Sequence, residues 1–464
     1  MPIERWSNWI GNHQIESDVI APGSLEELCK EVKSRSQVGR IRPAGNSYSW
    51  APLIPNKDTI IRMHRLSRLI DLNAEAMTLE VECGMTIQHI TKLCAEAGLA
   101  VISPTLFPQP QLGGAIATGS HGTGFGVAAL SDSILEMTII QHDGTPKVIK
   151  DTDPDFDAAK VALGTFGIIY SVKLQLEKNY AIYTDKILVP VEAVLEGFPD
   201  LLATSQYLEM FWYPLQSHFW VYLMDRTDSA VDKKTWLSEL REKVSTWVQN
   251  TGGNYLTPWI AQNMPSLTPM INKAAIRMSD TAGATVRHAS DAFHFQKAYP
   301  KNWDSSYSIP AQHASEAWRR AIDLVTEYGD QGLYPVNFAL HCRFTGASKT
   351  WLAADHGRET LFIECATAYG TPHIDEFYGQ LQDRWFDFPM ARPHWAKLYD
   401  TGAEIFHRYE RMPDFLDVRE KWDPDRIFLN NFLEDTVFHL NDPAYQRAGR
   451  APVLNSPVAA PLGL

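Results

Sequence analysis

Gly113-Gly114-Ala115-Ile116-Ala117-Thr118-Gly119-Ser120-His121-Gly122-Thr123-Gly124 is the most informative stretch of this chain. Glycine lets a backbone approach a phosphate closely, and successive N–H groups form concave nests for anions. Two segments of the same kind bracket it: Arg42-Pro43-Ala44-Gly45-Asn46-Ser47-Tyr48-Ser49 upstream and Gly164-Thr165-Phe166-Gly167-Ile168 downstream. Taken singly, each reads first as a structural turn. The spacing of Gly119, Gly122 and Gly124 departs from GxGxxG, and no strand–loop–helix unit of the Rossmann kind surrounds it. A nicotinamide-binding fold is therefore disfavoured.

Outward from these segments, residues 1–178 alternate short helices and strands. Ser24 and Glu27 form a capping box for a helix carrying Leu25, Leu28, Cys29 and Val32 on one face. Thr86 opens a second helix that Gly98 closes. Strands are predicted over residues 78–83, 134–141 and 147–150, the last two as a hairpin about Asp143-Gly144. Residues 168–177 alternate cleanly. From about residue 179 the texture changes: aromatic strands over 206–214 and 218–225, a helical stretch over 233–278, and strands over 337–345 and 360–368. Residues 405–438 read as helical and then irregular, and the tail from about residue 451 as a loose extension. The fold class is α+β.

At 464 residues the chain is long enough for two or three domains of about 100–200 residues each. Its apolar fraction of 45% excludes global disorder, and a net charge of −13 argues against nucleic acid or an anionic membrane as the main partner. No run reaches the roughly 20 apolar residues of a membrane span, and the start lacks a signal peptide. Cys29, Cys83, Cys94, Cys342 and Cys365 are scattered and form no CxxC, so buried thiols in a reducing, cytoplasmic setting are expected. No HExxH or paired histidine spacing suggests a metal site.

In this order, the three glycine segments resemble the FAD-binding domain of vanillyl-alcohol-oxidase-type flavoproteins. Trp6-Ser7-Asn8-Trp9, Arg392-Pro393-His394-Trp395-Ala396-Lys397 and Asp423-Pro424-Asp425-Arg426-Ile427-Phe428 extend the likeness to the sugar-lactone and alditol oxidase branch. The resemblance implies a two-domain protein: a bipartite FAD-binding domain, and a substrate domain built on a large antiparallel sheet flanked by helices. It implies an FAD domain over residues 1–178, a substrate domain over 179–404, and a segment over 405–464 returning to the first. It also places FAD against Pro43, Ala44, Gly45, Asn46, Ser47 and Tyr48, then Gly114, Thr118, Gly119, Ser120, His121, Thr123 and Gly124, and finally Gly167, Ile168, His394 and Lys397. His121 either contacts the isoalloxazine or caps its own loop.

Two departures from the family pattern matter. Relatives with covalent flavin carry a histidine where this chain has Asn46. An amide has no nucleophilic nitrogen at neutral pH, so non-covalent FAD is expected. The family's Glu-x-Arg becomes His341-Cys342-Arg343. Strand periodicity puts His341 and Arg343 on one face, with Leu340, Cys342 and Phe344 on the other. Alditol oxidases carry the glutamate at the first of these positions and a histidine on the next strand, where this chain has Glu364, so the two have exchanged strands. Either His341 and Glu364 work as a pair or Glu364 points to solvent. Glu209, Phe211, Tyr213, Trp220 and Tyr222 either wall the substrate pocket or form sheet core.

The expected activity is hydride removal from a carbon bearing a hydroxyl or amine, in a small-molecule substrate, with O2 or another acceptor taking the electrons. His341 is the first choice of base, with Arg343 and Lys397 as electrostatic support and Glu364 as partner. The competing expectation is a flavin- or ligand-binding protein that has lost redox catalysis.

Overall fold

A computed structural model describes residues 3–233, 255–278, 283–294, 301–400 and 404–441, with positions 236 and 240. Much of the helical stretch expected over 233–278, and the tail from residue 451, lie outside the described residues.

Among these residues three sheets carry the chain. The first orders β1 (Ile3–Ser7), β2 (Gln14–Ile20), β4 (Thr59–Arg62) and β3 (Ile41–Ala44), with β4 parallel to both neighbours. The second is antiparallel, in the order β5 (Leu69–Asn73), β6 (Thr78–Glu82), β10 (Ile168–Lys178), β8 (Ile134–Ile140), β9 (Pro146–Lys150). A short β7 (Leu99–Val101) pairs with the far end of β10. Both capping predictions hold: Ser24 accepts from the Glu27 N–H and Thr86 from the His89 N–H. The β8–β9 hairpin turns at Gly144, whose φ of 81° suits only glycine without strain.

The third sheet has eight strands, antiparallel throughout. Their order is β14 (Thr285–His288), β11 (Ala181–Pro190), β13 (His218–Thr227), β12 (Tyr207–Trp212), β16 (Leu340–Thr345), β17 (Thr360–Ala368), β15 (Asn302–Pro310) and β18 (Arg392–Pro393). Leu340, Cys342 and Phe344 are buried on one face with Leu361, Ile363 and Cys365. Helices Ala314–Asp330 and Ile374–Phe386 cover that face through Trp318, Ala321, Phe377 and Leu381. The opposite face of the same strands carries polar side chains. Burying an unpaired polar group costs about 1–3 kcal/mol, so such a face needs partners or a ligand.

Several contacts join this sheet to the glycine loop and the residues just after it. Gly124 N–H donates to Phe344 O (2.7 Å), Gly346 N–H to Val127 O (2.9 Å) and Thr123 Oγ1 to Leu208 O (3.0 Å). The C-terminal stretch folds back on the first sheet: Ile41 N–H donates to Ile427 O, and Asn430 Nδ2 to Pro52 O and Pro55 O. No described helix is long and apolar enough to cross a membrane.

Candidate active site

One cavity lies between the glycine segments and the polar face of the large sheet. Gly45, Asn46, Ser47 and Tyr48, from the loop after β3, form part of its wall. Ser47 sits at φ 60°, a left-handed conformation that sharpens the loop. Gly113, Gly114, Thr118, Ser120 and His121 line a second part, and Gly164 and Gly167 a third. Arg42 fixes the floor. Its guanidinium donates to the carbonyls of Leu53, Leu163, Gly164 and Phe428, so one buried side chain ties three backbone segments to its own strand. Burial lowers its pKa to about 9, with Asp423 opposing.

The opposite wall is charged. Arg343 projects from β16 and donates through Nη2 to Glu364 Oε1 on β17 (2.6 Å) and through Nη1 to His121 O (3.0 Å). Glu364 Oε2 is 3.6 Å from Lys397 Nζ, and Lys397 is ion-paired with Asp304 on β15. Burial alone would raise the Glu364 pKa, but Lys397, Arg343 and His341 hold it well below the usual carboxylate range. Burial and then Lys397 push His394 down to about 3, and burial and then Arg343 hold His121 well below the ordinary imidazole value. Both rings are therefore neutral near pH 7. The fixed positive charge of this wall comes from Arg343 and Lys397.

Residues directly opposite on antiparallel strands share a face, so the register sorts the remaining candidates. His341 lies opposite Glu364 and Phe211, and Arg343 opposite Glu209 and Phe362. Trp220 and Tyr222 are opposite Phe211 and Glu209, so these aromatics all share the face of Arg343. His341 and Glu364 do share a face, but the Glu364 carboxylate reaches Arg343 and Lys397. His341 stacks on Phe211 (centroids 4.3 Å), and its Nε2 lies 3.7 Å from Glu209 Oε2. His341 does not line the cavity, whereas Arg343, Glu364, His394 and Lys397 do.

Some residues expected at the cofactor also stand behind the wall. Ile168 pairs with Ile140 and packs into a separate core, which turns Ile169 to the cavity instead. Ala44 packs with Trp6 and Ile60. Thr123 and Gly124 are occupied in joining the large sheet, and Gly119 sits at φ 70° against Val161. His121 does two things at once: Nδ1 lies 3.0 Å from Gly122 O, and the ring stacks on Phe362 at the cavity edge. Trp9, Trp50, Gln111 and Phe107 also line the cavity.

The cavity fits FAD on two observations. A Cβ at Gly114 would meet no atom within 4 Å and would fill space facing the cavity. Trp9 Nε1 and Gln111 Oε1, both in the wall, are buried without a hydrogen-bond partner among the described residues. Gly114 lies in the short helix Leu112–Ala117, so Gly114→Ala should leave the melting temperature of FAD-free protein unchanged or higher, since Ala is favoured over Gly in a helix by roughly 0.5–1 kcal/mol. The same change should weaken FAD binding at least tenfold by titration. Unaltered affinity would place the cofactor elsewhere.

Comparison with known proteins agrees with this geometry. The family of D-arabinono-1,4-lactone oxidase matches residues 172–436, and an FAD-binding domain family matches residues 17–150. L-gulono-1,4-lactone dehydrogenase of Mycobacterium tuberculosis is 26% identical over 432 residues, 92% of this chain and 97% of the relative. Alditol oxidase of a Streptomyces species is 25% identical, covering 93% and 98%. The crystal structure of cholesterol oxidase from B. sterolicum superimposes with a TM-score of 0.79 over 93% of this chain and 96% of its own, at 16% identity.

Proposed function

The chain belongs to the D-arabinono-1,4-lactone oxidase family and is an FAD-dependent oxidoreductase acting on CH–OH donors; from that premise we propose a small polyhydroxylated substrate, of the alditol or aldonolactone kind. The single observation behind this reading is the wall of Arg343, Glu364 and Lys397, which faces the glycine segments across one cavity. Gly45–Tyr48, Gly113–Gly114, Thr118, Ser120, Gly164 and Gly167 would hold FAD, which supplies the hydride acceptor. We assign residues 1–178 and 405–464 to its domain and residues 179–404 to the substrate.

Each charged side chain then has a distinct task. Arg343, clamped by Glu364 and the His121 carbonyl, presents a fixed cation whose field favours negative charge developing nearby. The Lys397 ammonium offers a donor to a substrate oxygen. His394 and His121, held neutral, shape the wall without adding charge. His341 lies beside Arg343 on the same strand face but outside the cavity lining, where its stack on Phe211 fixes the strand geometry.

The test is a substrate screen of purified protein, following flavin absorbance without oxygen and peroxide with oxygen. Bleaching by alditols or aldonolactones supports the reading, and peroxide identifies O2 as acceptor. No bleaching across both classes sinks it.

The FAD in this reading is not covalently held. Asn46 Nδ2 donates to Gln109 O (2.9 Å), and an amide nitrogen supplies no nucleophile. Precipitation with trichloroacetic acid should leave a yellow supernatant over a colourless pellet. A pellet still yellow after washing would show a covalent link.

A further inference from the structure

The hydroxyl proton of a CH–OH donor must leave as its hydride departs, yet none of the residues lining the cavity is an evident base. Glu364 is committed to two cations, and His121 and His394 are buried and held neutral, His121 with Nδ1 at the Gly122 carbonyl and His394 with Nδ1 accepting from the Ala396 N–H. His341 lies outside the wall. Behind Lys397, however, stands Asp304, completely buried on β15.

The local architecture holds that pair in place. β15 grips the loop after β18 at two points: His394 N–H donates to Ser306 O and Leu398 N–H to Asp304 O, both 2.9 Å. Lys397 thus sits between two residues that are bound at their backbones to the strand that carries its partner. Its ammonium also lies 4.7 Å from the centre of the Trp50 ring, whose indole donates to Asn302 O. One carboxylate oxygen of Asp304 meets Lys397, and the other, Oδ1, is buried without a hydrogen-bond partner among the described residues. Most buried polar atoms have a hydrogen-bond partner, so the open Oδ1 is a lone pair available to a proton.

We propose that Asp304, acting through Lys397, accepts the hydroxyl proton of the substrate. The proposal rests on the oxidation of a CH–OH donor in this cavity. An N–H bond of Lys397 breaks first and an O–H bond forms at Asp304, which leaves a neutral amine. The amine rotates, and its lone pair takes the substrate proton as the O–H bond breaks and the C–H electron pair leaves as the hydride that bound FAD would accept. The products are the carbonyl compound, a Lys397 that is still an ammonium, and a neutral Asp304 carboxyl. Atoms and charge balance, and Asp304 returns its proton to solvent between turnovers.

Asp304 suits the task chemically. Burial raises its pKa, Lys397 opposes, and the balance is about 7, near where a general base is most effective. The groups facing the pair are Glu364 on β17, Arg343 on β16, His394 beside Lys397, the Cys365 thiol and the Trp50 ring. Glu364 raises the Asp304 value and Arg343 lowers it. Asp304 is a positioning residue and proton acceptor, and Lys397 is the residue that touches substrate.

Two measurements on the FAD-bound protein test this. First, kcat of the wild type should rise tenfold per pH unit below about pH 7 and level above it, because Asp304 must be ionised to accept. Asp304→Asn should lose that limb and about 100- to 1,000-fold in kcat. Should Asp304→Asn fold poorly, Asp304→Asn with Lys397→Met removes both charges, and its kcat should match Lys397→Met alone. A limb that persists in Asp304→Asn but vanishes in His341→Ala, a flat wild-type profile, or a double variant tenfold slower than Lys397→Met overturns the proposal.

Second, acetic anhydride at pH 8, without substrate, should acetylate Lys397 at least fivefold faster in Asp304→Asn. The lost carboxylate lets the ammonium deprotonate at lower pH. Equal labelling overturns the pair outright. Faster labelling in a protein that oxidises no alditol or aldonolactone removes the proposed substrate class, while the pair itself stands.

Discussion

Arg343→Met should lower the rate constant for flavin bleaching by roughly 30- to 1,000-fold, equivalent to about 2–4 kcal/mol of barrier, by the measure of a lost oxyanion-hole donor. Substrate affinity should change far less. The reason is geometric. Arg343 is held from two sides, by Glu364 on the neighbouring strand and by the His121 carbonyl on the glycine loop, so its charge cannot reorient to follow a ground-state substrate. A preorganised charge of this kind is worth most where charge develops and least in initial binding. Met keeps the volume and the apolar stem. Glu364 keeps Lys397 at 3.6 Å, so the surplus anion left by the change should lower the melting temperature without unfolding the chain at assay temperature. Rapid mixing without oxygen separates the two parameters, and an unchanged bleaching rate would remove Arg343 from the chemistry.

Much of this site was legible in sequence because strand periodicity carries side-chain direction without tertiary information. Alternation alone put His341 and Arg343 on one face and Leu340, Cys342 and Phe344 on the other, and the structure agrees. The capping residues Ser24 and Thr86 were equally readable, since a cap is a local hydrogen bond. Ile168 shows the converse. A turn motif says which residues are near a ligand, but the pleat of β10 turns Ile169, not Ile168, towards the cavity.

Asp304 left no local signal that identified it. The run Asn302-Trp303-Asp304-Ser305-Ser306-Tyr307-Ser308 has polar residues on both faces, so it lacks the apolar alternation that announces a strand. It is nevertheless a buried strand of the large sheet, because its polar groups face Lys397, Ala354 and the helix bearing Gln382. The pairing of Glu364 was hidden similarly. Register shows that His341 and Glu364 are opposite, but only the side-chain geometry shows that the carboxylate runs diagonally to Arg343 and that His341 turns to Glu209.

That diagonal geometry sets the outcome of Glu364→Gln. The wall then holds Arg343 and Lys397 against Asp304 alone, which leaves one buried cation uncompensated. Breaking a buried pair by removing one partner costs about 3–5 kcal/mol, so the melting temperature should fall clearly although Gln is isosteric. The Glu364 pKa is depressed in the folded protein. Its contribution is therefore present above the unfolded carboxylate pKa and is lost only as pH falls through the lower folded value, so the deficit of Glu364→Gln should be full at neutral pH and shrink in acid. Adding Arg343→Met removes the stranded cation, and the double variant should be more stable than Glu364→Gln alone, a coupling above about 1 kcal/mol. Combined with His341→Ala the same change should show a smaller coupling, because the Glu364 carboxylate bonds Arg343 directly, whereas His341 stacks on Phe211 and acts on it only through its field. Coupling to His341 as large as that to Arg343 would show that the histidine and glutamate act together across β16 and β17 after all, and His341 would then have to share the work of Arg343 and Lys397 at the cavity wall.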